Sequence, residues 1–198
     1  MRRMMLWAFG GVLLAALGAC SVWLYATNTV ETPEYAVLDG DEPFELRAYP
    51  AQRVAEITRS GTRGEAVRAG FRPLAAYIFA SEREGEKIAM TAPVTQTPEA
   101  TEWVVRFVMP AEYDLADLPA PADGSEVRLR ELPEGRIAAV RFSGVATDES
   151  VASEEARLRD WLFTRGLTPA GPATIAYYND PWTPGPLRRN EVLIPVAE

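Results

Sequence analysis

The chain of 198 residues has no histidine, a single cysteine at Cys20 and a single lysine at Lys87. The absence of histidine excludes a serine–histidine–aspartate triad and a zinc site of the histidine type. The single cysteine excludes an internal disulfide, and in the residues after it no thiolate metal site or cysteine nucleophile can form. Any binding or chemistry beyond Cys20 must therefore use carboxylates, arginines, tyrosines and apolar side chains.

Positive charge is also scarce. Residues 27–198 carry 18 Arg and Lys against 28 Asp and Glu, a net charge of −10. Such a domain lacks the basic surface that releases counterions from a phosphate backbone, so nucleic acid is not an expected partner. An anionic ligand would need a local group of arginines that acts against the overall field.

The segment Met4–Ala26 is an apolar stretch of 23 residues without a charge. It is long enough to cross a bilayer core of about 30 Å. Because Arg2 and Arg3 precede it, the positive-inside rule predicts that the following domain lies on the extracytoplasmic side, which is the periplasm in a bacterium. A second interpretation stays open, since Leu17–Cys20 resembles a lipobox whose cleavage would leave a lipidated cysteine. Both interpretations predict a membrane-tethered domain.

The length predicts one folded domain. Residues 1–26 are the predicted anchor or lipoprotein signal, residues 27–33 a polar spacer, and residues 34–198 a domain large enough for a sizeable core. We expect this domain to be a monomer.

The folded part contains an internal duplication. Residues 46–61 align without gaps on residues 129–144, and seven of the sixteen positions are identical. A helical stretch follows each block, and two strand-like stretches follow each helix. Each half therefore reads β-β-α-β-β, which predicts an α+β fold in one pseudo-symmetric domain.

The first predicted helix covers residues 63–80 and places Phe71, Leu74 and Ile78 on one apolar face. Gly70 and Pro73 interrupt it, and this pattern is compatible with a kink or a late start near residue 70. The second covers residues 148–165, with Asp148 as N-cap and Gly166 as its stop. The strand-like stretches after the helices are Lys87–Thr95, Glu102–Met109, Ala173–Tyr178 and Glu191–Val196.

The closing segment is the most informative motif. Two tyrosines, Tyr177 and Tyr178, are followed by a loop with three prolines and Trp182, and the arginine pair Arg188 and Arg189 leads into an apolar strand. Prolines hold such a loop in few conformations. Guanidinium groups beside aromatic rings can bind a flat anionic ligand by charge and stacking.

Three blocks together resemble the SOUL haem-binding family over nearly all of residues 31–198. They are Phe44–Pro50, Gly70–Ile78 followed by Lys87–Val94, and Arg188–Val192. The resemblance, to a bacterial, membrane-tethered member, implies a distorted β-barrel flanked by two helices. This architecture is similar to bacterial effector-binding domains of the gyrase-inhibitor type, which take up small hydrophobic molecules.

The resemblance also implies a non-covalent haem or porphyrin site along the first helix, closed by the proline-rich loop. Apolar residues would form its wall, and Arg68, Arg72 or Arg188 would face the propionates. Without histidine, the candidate iron ligands are Met90, Lys87 and the tyrosines at 77, 177 and 178. The predicted cofactor-binding residues are Arg68, Phe71, Leu74, Ala75, Ile78, Met90, Trp182 and Arg188.

The expected function is that of a membrane-tethered carrier, buffer or scavenger of haem or a related tetrapyrrole. The alternative is a general binding module for lipophilic or cationic small molecules. An enzyme is not expected. Only carboxylates such as Asp180 or Glu191, tyrosines and the lysine could serve in catalysis, and no spacing singles out a carboxylate pair.

Overall fold

The computed structural model describes residues 30–197, so the predicted anchor or lipoprotein signal over residues 1–26 lies outside the described residues. Within residues 30–197 no helix has both the length and the hydrophobicity to cross a membrane. These residues form an antiparallel nine-stranded sheet and two α-helices. The helices are α1 Arg63–Ile78 and α2 Asp148–Thr164, and the strands are β1 Ala36–Asp41, β2 Phe44–Tyr49, β3 Gln52–Arg59, β4 Val94–Glu99, β5 Glu102–Val108, β6 Arg128–Leu132, β7 Gly135–Phe142, β8 Thr174–Tyr177 and β9 Asn190–Val196.

The strand order confirms the two β-β-α-β-β halves. The order is β1-β2-β7-β9-β8-β4-β5-β3-β6. Strands β2, β3, β4 and β5 of the first half correspond to β6, β7, β8 and β9 of the second. When every strand is replaced by its counterpart, the part of the order from β2 to β6 is reproduced in the opposite direction. The centre of this pseudo-symmetry is the β4–β8 pair, and β1 has no counterpart in the second half. The duplication in the sequence is therefore a duplication of strand pairing.

The two halves are joined along their duplicated blocks. Two residues separate β2 from β3 at Pro50, and two separate β6 from β7 at Pro133. The β2–β7 and β3–β6 pairs share one antiparallel register across these bends. The hydrogen-bonded order nevertheless ends at β1 and β6, so the sheet is not closed into a barrel.

Each helix covers one half of the sheet. Helix α1 packs on β3 and β5, and α2 packs on β7 and β9. Residues on the other face of the sheet are buried as well, for example Val54, Val104 and Ala139. The strands therefore bury side chains on both faces of the sheet, and not only on the face that α1 and α2 cover.

The start of α1 differs from one sequence expectation. The helix is continuous from Arg63, and Thr62 forms a capping box with Glu65. This cap satisfies the first N–H groups and stabilises the start of the helix despite the glycine at 70 and the proline at 73, so the alternative of a late start near Gly70 is wrong.

Two other boundaries are corrected. The N-cap of α2 is Thr147, whose hydroxyl accepts from the N–H of Ser150, and Asp148 is the first helical residue. The predicted strand Lys87–Thr95 begins only at Val94. Pro93 precedes it and has no N–H to donate to a neighbouring strand, so a ladder through this position would lack one hydrogen bond. Gly166, with φ of 67°, ends α2 as predicted.

Replacing each of the two glycines of α1 by alanine should change the stability of the domain in opposite directions. A Cβ at Gly70 would lie 2.9 Å from the side chain of Val105 and 3.2 Å from that of Ile57, whereas at Gly64 nothing lies closer than the end of Arg68, at 4.0 Å. We expect Gly70→Ala to destabilise the domain by about 1–3 kcal/mol through overpacking. Gly64→Ala should stabilise it by about 0.5–1 kcal/mol. Urea denaturation measures the free energy of unfolding of both variants. A change in the same direction in both would contradict the packing argument.

Candidate ligand-binding site

The predicted site residues of α1 divide into a buried and an exposed group. Leu74 and Ile78 are 0% and 1% exposed and belong to the core that α1 forms with β3 and β5. Phe71 is 40% exposed, and its ring packs edge-on against Phe107 at 5.2 Å between centroids. Ala75, one turn further along, is partly exposed. In this conformation a ligand could therefore touch Phe71 and Ala75, while Leu74 and Ile78 support the helix from beneath.

The cations of α1 are available to a ligand. Arg68 and Arg72 are exposed, and within residues 30–197 neither forms an ion pair or donates a side-chain hydrogen bond. Arg68 lies two turns before Ala75 and three residues before Phe71, so charge and apolar surface adjoin on the same side of the helix. Phe79, at the C-cap, is 41% exposed and extends this side.

Met90 lies outside the core. It is 42% exposed and belongs to the irregular segment that leads into β4. Val94, four residues later, pairs with Phe107, the residue that Phe71 contacts. The thioether of Met90 is thus accessible, and Lys87 in the same segment is also exposed.

Residues 179–189 form what we call the proline loop. Trp182 is 90% exposed in it, whereas the adjacent Thr183 is 1% exposed. Arg188 does not point its guanidinium freely into solvent, because Nε donates to the carbonyl oxygen of Thr183 at 2.7 Å and Nη2 to that of Pro181 at 2.5 Å. The predicted propionate contact of Arg188 therefore competes with bonds inside the loop.

Backbone contacts bring the proline loop towards the first turn of α1. Gly144 donates its N–H to the carbonyl oxygen of Gly185 at 3.0 Å. Arg63, the first residue of α1, donates to the carbonyl oxygen of Ala146 and to the carboxylate of Asp148, each at 2.6 Å. The start of α1, the segment before α2 and the loop thus form one region, with Val145 and Leu187 exposed at 58% and 57%.

Sequence reasoning missed a buried ion-pair cluster. Glu191 is fully buried, and Arg47 donates to its two oxygens at 2.7 and 3.1 Å. Arg189 donates to the same carboxylate at 2.7 and 3.1 Å, and the Tyr178 hydroxyl donates at 2.9 Å. We call these four residues with Tyr49 the Glu191 cluster. The available signal was a charged residue on the same face of two apolar strands, Arg47 in β2 and Glu191 in β9.

The Glu191 cluster controls the protonation of its members. Burial by itself would raise the pKa of Glu191, but the hydrogen bonds and charges of Arg47 and Arg189 lower it below its usual value. Burial raises the pKa of Tyr49 to about 12. It also raises the pKa of Tyr178 well above its usual range. The carboxylate is thus charged and the phenols are neutral at neutral pH.

The candidate iron ligands differ in access. Burial raises the pKa of Tyr177 and of Tyr77, and both hydroxyls already have partners. A neutral, hydrogen-bonded phenol is a poor ligand for iron, whereas ligation by tyrosine uses the phenolate. Met90 and Lys87 are the accessible members of the predicted set.

One larger cavity occurs away from α1. Its volume is about 270 Å³, and it lies between residues 31–34, the bend after β2 and the end of β5. Val108 and Met109 are among its apolar lining residues, and Glu31, Glu34 and Arg53 are its charged ones. Ligand pockets commonly measure about 300–1,000 Å³, so a tetrapyrrole would need more space than this cavity offers.

Comparison with known proteins identifies the family. The sequence matches the family described as SOUL heme-binding protein over residues 30–195. The chain belongs to the SOUL heme-binding protein family. The resemblance of the three sequence blocks is thereby confirmed, and no curated protein sequence matches the chain.

Solved structures share the fold of this SOUL domain. A hydrolase from Listeria innocua has 15% identity and a TM-score of 0.60, over 81% of this chain and 94% of its own. The EcmrR C-terminal domain has 14% identity and a TM-score of 0.60, over 83% of this chain and 98% of its own. At such identities the likeness shows the fold alone.

Proposed function

We propose that this SOUL family member binds haem or a related tetrapyrrole on the surface formed by α1 and the proline loop, as a membrane-tethered carrier, buffer or scavenger outside the cytoplasm. The observation that carries the proposal is the combination on α1 of exposed Phe71 with Arg68 and Arg72, which form no ion pair within residues 30–197. A porphyrin with two propionates needs an apolar surface and cations beside it.

The residues of this surface fit a tetrapyrrole held mainly by packing and charge. Phe71 and Ala75 offer apolar surface on the helix, and Trp182 offers an indole on the loop. Arg68 and Arg72 would hold the propionates, and the accessible thioether of Met90 could act as a weak axial ligand. A bound haem would supply redox and ligand chemistry of its own, and the proposal assigns no catalytic step to the protein.

Parallel titrations with haemin and iron-free protoporphyrin test the proposal. The expected result is saturable one-to-one binding of both at micromolar concentrations, measured by absorbance and tryptophan quenching. Phe71→Ala should weaken both, since it removes apolar contact area. Phe163→Ala is the matched control, because Phe163 is 85% exposed on α2, away from the proposed surface. Absence of saturable binding of either porphyrin would contradict the proposal.

A second candidate is a general site for small lipophilic or cationic molecules. The cavity of about 270 Å³ favours it, since apolar lining residues beside Glu31 and Glu34 suit a small organic cation. Arg53 also lines the cavity, and its guanidinium donates to the carbonyl oxygen of Tyr113 and to the carboxylate of Asp114. Binding of such a cation should be unchanged by Arg68→Ala, whereas porphyrin binding should fall. This difference separates the two candidates.

A further inference from the structure

Two side chains hold the proline loop in one conformation from within. Arg188 bridges the carbonyl oxygens of Thr183 and Pro181 with two different nitrogens. Asp180 accepts from the N–H groups of Trp182 and Thr183 at 2.7 and 3.0 Å, and from the Thr183 hydroxyl at 3.2 Å. The aspartate contacts form an Asx-type turn, and the guanidinium fork closes the loop on its other side.

The ends of the loop are also fastened. Asn179 accepts the N–H of Arg189 at 2.6 Å, and Arg189 is bound by Glu191 in the buried cluster. Thr183, which receives contacts from both Asp180 and Arg188, is buried. Trp182 is attached to this ordered frame and is still 90% exposed. An indole held in solvent on a stiff loop can bind a flat ligand with little further loss of entropy.

We infer that Arg188 and Asp180 are positioning residues that hold Trp182 ready for the ligand, and that Arg188 is not a cation for its propionates. The inference rests on the proposed function and deepens it, because the cationic role passes to Arg68 and Arg72. It differs from the expectation from sequence, in which Arg188 itself contacts the ligand.

Charge and geometry predict opposite results at Asp180. Removal of a negative charge near the site would, by charge alone, strengthen the binding of an anionic porphyrin. Loss of the turn would instead weaken it. Asp180→Asn keeps an acceptor oxygen for the two N–H groups, so it should retain the conformation of the loop and the affinity for porphyrin. Arg188→Lys keeps the charge of the arginine but loses its planar fork.

The test uses the full chain in a non-ionic detergent, with empty micelles as the blank and protoporphyrin as the probe. Incorporation of 5-fluorotryptophan gives a fluorine resonance for Trp182, identified by its loss in Trp182→Phe. We expect Arg188→Ala, Arg188→Lys and Asp180→Ala each to lower the affinity about tenfold, the size of a lost charge-assisted hydrogen bond. Each of these three variants should also shift the Trp182 resonance before ligand is added. Asp180→Asn should leave the porphyrin affinity and the Trp182 resonance near their wild-type values.

Several results would overturn the inference. Full affinity in Arg188→Lys together with a loss in Arg188→Ala would show that the charge of Arg188 is what matters. Tighter binding by Asp180→Ala, or an unshifted Trp182 resonance in the alanine variants, would show that these residues do not position the indole. If the wild-type chain binds no porphyrin, the proposed function itself fails, and the role in ligand binding fails with it. The resonance then still decides whether Arg188 and Asp180 hold the loop.

Discussion

Glu191→Ala is expected to destabilise the domain by about 3–5 kcal/mol, the usual cost of leaving a buried charge without its partner. Arg47 is 2% exposed, and it directs two nitrogens at the carboxylate of Glu191. Without that carboxylate its remaining charged partner is Glu45, at 2.6 Å. At about 2–4 °C per kcal/mol for a domain of this size, the midpoint of thermal unfolding should fall by about 6–20 °C.

Two variants control this prediction. Glu155→Ala breaks an exposed pair with Arg159 on α2, and its expected cost is at most about 1 kcal/mol. The double variant Arg47→Met with Glu191→Leu removes both buried charges and should recover most of the lost stability. A double variant as unstable as Glu191→Ala would show that packing, and not the unpaired charge, explains the loss.

The same cluster predicts a dependence on pH. Because the folded-state pKa of Glu191 lies below its unfolded value, near 4.3 for an ordinary glutamate, its contribution is present above that pH and is lost as the pH falls through the folded pKa. Glu191→Ala lacks this contribution. The stability curves of the wild type and the variant should therefore approach each other in acid, and a constant difference down to low pH would contradict the linkage.

Arg68→Glu is expected to lower the affinity for haemin and for protoporphyrin by about 10–100-fold. Arg68 is exposed and forms no ion pair within residues 30–197, so its guanidinium is accessible to a propionate. The change removes a charge-assisted hydrogen bond and places a like charge beside the ligand, which together cost about 1.4–2.8 kcal/mol or more.

A matched variant separates a local contact from the general field. Arg159→Glu makes the same change of charge on α2, where Arg159 pairs with Glu155. Both variants add the same negative charge to an already acidic domain, so a purely long-range effect would weaken binding equally in both. A loss confined to Arg68→Glu, measured at equal ionic strength, is the expected outcome.

Much of the fold could be predicted because its signals are local. The duplicated blocks, the amphipathic helices and Gly166 each depend on residues close in sequence, and all correspond to observed features. The strand predicted from Lys87 begins only at Val94, after Pro93, which has no N–H to donate to a ladder. The burial of both faces of the sheet could not be predicted, since it depends on how the two halves meet.

The site was only partly predictable. The spacing of Phe71, Leu74 and Ile78 indicates one face of a helix, but only the packing on β3 and β5 decides that Leu74 and Ile78 are covered while Phe71 stays accessible. Likewise the sequence presents Arg188 as a free cation, and the carbonyl groups that it binds are positioned by the folding of the loop.

The sequence by itself determined the family, the duplicated β-β-α-β-β plan and the chemistry that is excluded by the absence of histidine, because these depend on residue identity and order. Only the tertiary structure decided which cations are free. Arg47 and Glu191 are 144 positions apart and meet because β2 and β9 both pair with β7. Arg68, on an exposed helix face, has no ion-pair partner in the part of the chain that the structure describes. Ion pairing needs contact within a few ångströms, and in this chain long-range strand pairing creates that contact.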